Sequence, residues 1–101
     1  MEDSFQGIEN YLMVRMPEEI DHHKSVYISK KADDYIMQSG VGNVVFDFED
    51  TKFMDSSGIA VVMRVRQRMR DLGGAVTLRG VRPQARKVLD AAGMDRFVTV
   101  E

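Results

Sequence analysis

Apolar and polar positions change their spacing several times along this chain, and each change marks an element. In YLMVRM (residues 11–16), Leu12 and Val14 alternate with Tyr11, Met13 and Arg15, the two-residue period of a strand. A short, weakly apolar segment at residues 4–9 precedes it, and Asn10 lies between them as a turn residue, so the pair predicts a β-hairpin. Pro17 then ends the strand, because it has no N–H to donate to a ladder. The period next lengthens. Ile28, Ala32 and Ile36 recur at i, i+4 and i+8, with Ser25 and Tyr35 beside them, which is one face of a helix. Asp21 is its expected N-cap and Gly40 its expected stop. VVFDF (residues 44–48) is rich in β-branched and aromatic residues between Gly42-Asn43 and Glu49-Asp50, and predicts a buried strand.

A second helix is expected over residues 57–72. Val62, Val65, Met69 and Leu72 step by three, four and three as its core stripe, and Arg64, Arg66, Arg68 and Arg70 fall mainly on its other faces. Gly73-Gly74 ends it. AVTLR (residues 75–79) alternates as a strand. Pro83 opens a third helix over residues 83–92, where its missing N–H costs nothing, and Gly93 stops it. FVTV (residues 97–100) closes the chain's pattern as a last short strand.

The order β-β-α-β-α-β-α-β is that of an α/β protein: one mixed β-sheet with helices packed against it, the strands after the hairpin joined in parallel by right-handed crossovers. No repeat or linker divides the 101 residues, so they form one domain, residues 1–101. One feature exceeds what the fold needs. Ile59, Ala60, Val61, Val62 and Met63 are consecutive, more apolar surface than a single stripe buries, so Ile59 or Met63 is expected to stay exposed as part of a binding surface.

Composition narrows the function classes. With 44% hydrophobic and 30% charged residues, the chain has the make-up of a folded globular domain rather than a disordered one. Its 14 basic against 16 acidic residues give a net charge of −2, which lacks the basic footprint of a nucleic-acid binder; the arginines of the second helix read as a solvated face. There is no cysteine, which excludes disulfides, thiol catalysis and cysteine metal sites. The start, MEDSFQGIEN, is acidic and has no apolar core, unlike a signal peptide, and no apolar run approaches a membrane span. The expectation is a soluble, cytoplasmic protein with no membrane partner.

The candidate chemistry lies in FMDSSGIAVV (residues 53–62). An acid and two hydroxyls follow a buried-looking Phe53-Met54 and open a helix. Ser56 or Ser57 serves as an N-cap on the plainest reading, with Asp55 a further cap candidate. The other reading is phosphorylation. A phosphate adds about −1.5 to −2 charge, and a helix N-terminus accepts an anion well, so the domain stays folded while an acidic or apolar partner surface is repelled. The two readings are compatible if one serine caps and the other is modified. Asp55 then orients a serine hydroxyl for phosphoryl transfer while a partner supplies ATP and metal. Other chemistries fit poorly. Asp21-His22-His23 puts adjacent histidines in different directions and lacks a metal-binding spacing. Asp47, Glu49, Asp50 and Asp55 read as solvated acids rather than a Mg²⁺ site. The G-x-S-x-G elbow of serine hydrolases is absent. No catalytic residue, metal or cofactor is expected in this chain.

FMDSSGI, with IDHHKS upstream and GGAVTLRGVRPQARKVLDAAGMDRF downstream, resembles the STAS domain over almost the whole chain, and within that family it looks like the anti-sigma factor antagonists of bacterial sporulation. The resemblance implies a non-enzymatic module that binds an anti-sigma factor which is also a serine kinase carrying ATP or ADP, and so releases a sigma factor. It implies that the kinase phosphorylates the first serine of D-S-S-G, here Ser56, that this stops productive binding, and that a PP2C-type phosphatase restores it. Ser57 then matches a structural helix-start position, Asp21 an aspartate of the partner-facing region, and Asp55, Gly58, Ile59 and Met63 fall in the partner-binding patch. One departure is the run Pro17-Glu18-Glu19-Ile20-Asp21, where the family often has a glycine before the acid, which bears on partner specificity. The alternative is a STAS module in another partner-switching assembly, with a different kinase and output.

Overall fold

The computed structural model describes residues 4–101. β1 (Phe5–Ile8) and β2 (Tyr11–Arg15) form the expected antiparallel hairpin, Phe5 opposite Val14 and Ile8 opposite Tyr11, with Glu9 turning at a φ of 50°. After β3 (Glu19–Ile20) come α1 (His22–Ser39), β4 (Asn43–Asp47), β5 (Phe53–Met54), α2 (Ser56–Asp71), β6 (Ala75–Arg79), α3 (Pro83–Ala91), a 3-10 turn (Met94–Arg96) and β7 (Thr99–Val100). The main sheet runs β1-β2-β4-β6-β7, parallel except for the hairpin, which is the mixed sheet the element order calls for.

Strand register explains how one face becomes core. Leu12, Val44 and Val76 lie in one row, and Val14, Phe46 and Leu78 in the next, all buried. Their neighbours Met13, Val45 and Thr77 point the other way and are half-buried. The helices lay their apolar stripes on the first face: Ile28, Ala32 and Ile36 from α1, Val61, Val62, Val65 and Met69 from α2, Ala85 and Leu89 from α3. The ends follow from local chemistry. Gly40 takes a left-handed φ of 63° to stop α1, and Pro83 stands at the start of α3.

Two expectations are corrected. Leu72 is 59% exposed, because α2 ends at Asp71 and Leu72 is its C-cap, outside the stripe. The last strand is only Thr99–Val100; Phe97 closes the 3-10 turn instead. β3 and β5, too short to show a period in the sequence, form a separate two-stranded parallel ladder. No helix among the described residues is long and apolar enough to cross a membrane.

Candidate functional site

The small ladder builds the site. It pairs Glu19 with Phe53 and Ile20 with Met54, and the Asp55 N–H donates to the Ile20 carbonyl at 3.2 Å. The two chains leave the ladder in register, so Asp21 and Asp55 stand side by side, and each begins a helix. Asp21 caps α1: its carboxylate accepts from the Lys24 N–H at 2.9 Å. Asp55 caps α2: its Oδ1 accepts from the Ser57 N–H at 2.8 Å. The Lys24 hydrogen bond holds the exposed Asp21 carboxyl below the usual aspartate range.

With Asp55 as the cap, neither serine performs that task, which corrects the capping expectation. Ser56 is the first residue of α2 and is exposed; Ser57 is half-buried behind it, its N–H taken by Asp55. The side chain of Ser56 has no hydrogen-bond partner among the described residues. It lies at the N-terminal end of α2, with the N-terminus of α1 on the adjacent strand's exit. Both termini carry partial positive charge that favours an anion.

Two grooves meet at Ser56. One, of about 800 Å³, runs between α1 and α2, from Ser56 and Ser57 past Val26, Asp33 and Met37 to Arg64 and Arg68. Asp33, only 8% exposed, braces it: Arg64 Nε donates to its Oδ2 at 3.1 Å, and Arg68 Nε lies 3.8 Å from its Oδ1. The other groove, of about 660 Å³, lies between α2 and α3 and is apolar. Ile59 and Ala60 form one wall, and Val88, Ala91 and Ala92 the other.

The remaining sequence candidates divide. Ile59 and Met63 are half-buried and pack against the core, so the excess apolar surface is smaller than the run suggests; Ile59 still walls the apolar groove. Gly58 is buried. A Cβ there would lie 2.4 Å from Met54 Sδ, so glycine lets α2 settle on Met54. Phe53 is the opposite of the buried residue expected: it is 51% exposed, beside Asp55, while Met54 is buried. The acids are dispersed in their tasks, Asp47 accepting from the Glu49 N–H at 2.9 Å and Asp55 capping α2. Among the described residues no three His, Asp or Glu side chains converge as a metal site would require.

Two residues of the site carry no local sequence signal. Gln84, in the first turn of α3, clamps Met54 from the edge of β5 that β3 leaves open. Its Oε1 accepts from the Met54 N–H at 2.8 Å, and its Nε2 donates to the Met54 carbonyl at 3.1 Å. Thr51 is fully buried, and its hydroxyl donates to the Pro17 carbonyl at 2.8 Å, tying the two approaches to the ladder together. Neither partner is near in sequence, so no local pattern signals them.

The STAS domain family model matches residues 4–101. An anti-sigma F factor antagonist of Paenibacillus polymyxa is 28% identical over 89 residues, 88% of this chain and 76% of that protein. One of Lysinibacillus sphaericus is 30% identical over 83 residues, 82% and 71% of the two chains. Among solved structures, the anti-sigma factor antagonist SpoIIAA in its unphosphorylated form is similar at a TM-score of 0.87 and 26% identity, over 96% of this chain and 85% of that one. SpoIIAA of Bacillus, a cell fate determinant, in its phosphorylated form gives 0.75 and 28%, over 96% and 90%.

Proposed function

The chain belongs to the STAS domain family, and from that premise we propose that it is an anti-sigma factor antagonist switched by phosphorylation of Ser56. The unmodified domain docks on an anti-sigma factor that is also a serine kinase, and a sigma factor is released. The kinase transfers the γ-phosphoryl group of its ATP to Ser56 Oγ. An O–P bond forms at Ser56, the bond to the leaving ADP breaks, and the hydroxyl proton passes to a base. The kinase supplies nucleotide and metal. This chain supplies the nucleophile and its placement, with Asp55 fixing the turn that presents Ser56. A PP2C-type phosphatase reverses the step. The names of the relatives and the existence of a phosphorylated SpoIIAA form support this reading.

The observation that carries it is the free, exposed hydroxyl of Ser56 at the meeting of two grooves, relieved of capping by Asp55. A phosphate there is compatible with the fold, since a helix N-terminus favours an anion by about 0.3–1 kcal/mol. It is incompatible with a partner seated in the apolar groove, where desolvating a charge of about −1.5 to −2 opposes docking. A penalty of about 1.4 kcal/mol already weakens binding tenfold. Asp21, Phe53 and Ile59 complete the docking face around Ser56.

The test is binding to the anti-sigma kinase by surface plasmon resonance, with Mg-ATP or ADP. Ser56→Ala is expected to bind without accepting phosphate, and Ser56→Asp to bind at least about tenfold more weakly. Stoichiometric phosphorylation of Ser56→Ala contradicts the site. A protein that neither binds nor is phosphorylated belongs instead to another partner-switching assembly.

A further inference from the structure

The arginines of α2 do not form a uniform solvated face. Arg64 and Arg68 face Asp33, at 3.1 and 3.8 Å, and Arg86 of α3 faces Asp90 at 3.3 Å. Arg66 and Arg70, one turn apart, face no carboxylate among the described residues, and neither does Arg96 of the 3-10 turn. These three guanidiniums line one cleft of about 510 Å³, whose only acidic lining residue is Asp95. The cleft thus concentrates positive charge on a chain whose net charge is −2.

Two of the three are held in place. Arg66 Cζ lies 5.2 Å and Arg96 Cζ 5.4 Å from the centroid of the Phe97 ring, both within cation–π reach. Arg96 Nε also donates to the Gly93 carbonyl at 3.3 Å. Gly93 takes a left-handed φ of 63°, which turns the chain so that its carbonyl meets Arg96. The ring itself is 38% exposed in the cleft. The negative end of α2 accounts for Arg70, in its last turn, but not for Arg66 or Arg96. Cations fixed before a ligand arrives lose less freedom on binding it.

We propose that this cleft docks a short acidic segment of a protein partner, independently of Ser56. Guanidinium forks match carboxylates in a bidentate geometry, and an exposed aromatic ring between arginines is the composition of a protein interface core. Three cations in one cleft on an acidic chain do not make the extended basic track that a nucleic-acid backbone needs. Arg66 and Arg70 lie ten and fourteen residues beyond Ser56, about 15 and 21 Å along α2 at 1.5 Å per residue. A partner held there stays attached whether or not Ser56 carries a phosphate.

Fluorescence anisotropy with the whole chain tests this, using three labelled probes: a short Asp/Glu-rich peptide, its Asn/Gln counterpart and a single-stranded oligonucleotide. The acidic peptide is expected to bind, more weakly as salt rises, and the neutral one not to bind. Arg66→Gln with Arg96→Gln should weaken binding at least about tenfold. Arg86→Gln removes one such charge at a paired site outside the cleft and should leave binding within twofold. Phe97→Leu, which keeps the arginines but removes the ring that holds them, should give an intermediate loss. Absence of peptide binding overturns the proposal. So does an equal loss in Arg86→Gln, which reduces the effect to general charge. Tighter binding of the oligonucleotide assigns the cleft to nucleic acid and also overturns it.

Discussion

Replacing Gln84 by alanine removes both hydrogen bonds that hold Met54, the one its N–H donates to Gln84 Oε1 at 2.8 Å and the one its carbonyl accepts from Gln84 Nε2 at 3.1 Å. Met54 is fully buried and its other edge is already committed to Ile20 in the β3–β5 ladder, so no neighbouring strand replaces what Gln84 provides. Each bond contributes about 1 kcal/mol net, and stranding a buried backbone group costs about 1–3 kcal/mol. With some water entering the gap, the expected loss for Gln84→Ala is about 2–3 kcal/mol. In a domain of this size each kcal/mol lowers Tm by about 4–8 °C, so a fall of about 10–20 °C is expected in thermal unfolding followed by circular dichroism. Hydrogen exchange should quicken at the Met54 amide, and the proposed phosphorylation of Ser56 should slow because the residue two places on loses its placement. Gln84→Glu sharpens the test. An ionised carboxylate accepts from the Met54 N–H but cannot donate to its carbonyl; the protonated form does both. The introduced group therefore has a raised pKa in the folded state. Its extra stability is present at acid pH and is lost as pH rises through that value. A Gln84→Ala protein within about 0.5 kcal/mol of the parent, with unchanged exchange at Met54, refutes the clamp.

Three further outcomes follow from the same geometry. Asp55→Ala should cost about 1 kcal/mol in denaturant unfolding while Asp55→Asn, which keeps an N-cap acceptor, costs less; equal losses would mean that capping is not its role. Gly58→Ala gains about 0.8–1 kcal/mol of helix propensity but places a Cβ 2.4 Å from Met54 Sδ and 2.6 Å from its Cγ, so overpacking of about 1–3 kcal/mol should leave it less stable than the parent, and a net gain in denaturation midpoint contradicts that packing. Asp21 has a lowered pKa through the Lys24 N–H, so its contribution is complete above the ordinary aspartate pKa and is lost as pH falls through the depressed one; the stability difference from Asp21→Asn should shrink on acidification, and a constant difference contradicts the cap.

The elements with a period were legible. Ile28, Ala32 and Ile36 fall where a 3.6-residue repeat puts them, and Gly40 stops α1 with the backbone angle only glycine adopts freely. Two-residue strands have no period, so the β3–β5 ladder was hidden, and Pro17 made its approach look like loop. With the ladder hidden, Phe53 looked buried, because nothing local says that it and Met54 point to opposite sides of a strand. The run Asp55-Ser56-Ser57 offers three cap candidates in a row; only the direction in which the chain leaves the ladder selects Asp55 and frees Ser56. The resemblance puts Asp21 in the partner-facing region, and the register of Ile20 with Met54 sets it level with Asp55, one residue before Ser56.

The most direct test is the site of the phosphate and its effect on the complex. The purified chain is incubated with the anti-sigma kinase proposed as its partner and Mg-ATP, the phosphate is mapped by peptide mass spectrometry, and the modified and unmodified forms are run with the kinase on a sizing column. The expected result is one phosphate, on Ser56, with only the unmodified form co-eluting. Phosphate on Ser57 or elsewhere, or a Ser56-phosphorylated form that still co-elutes, contradicts the account.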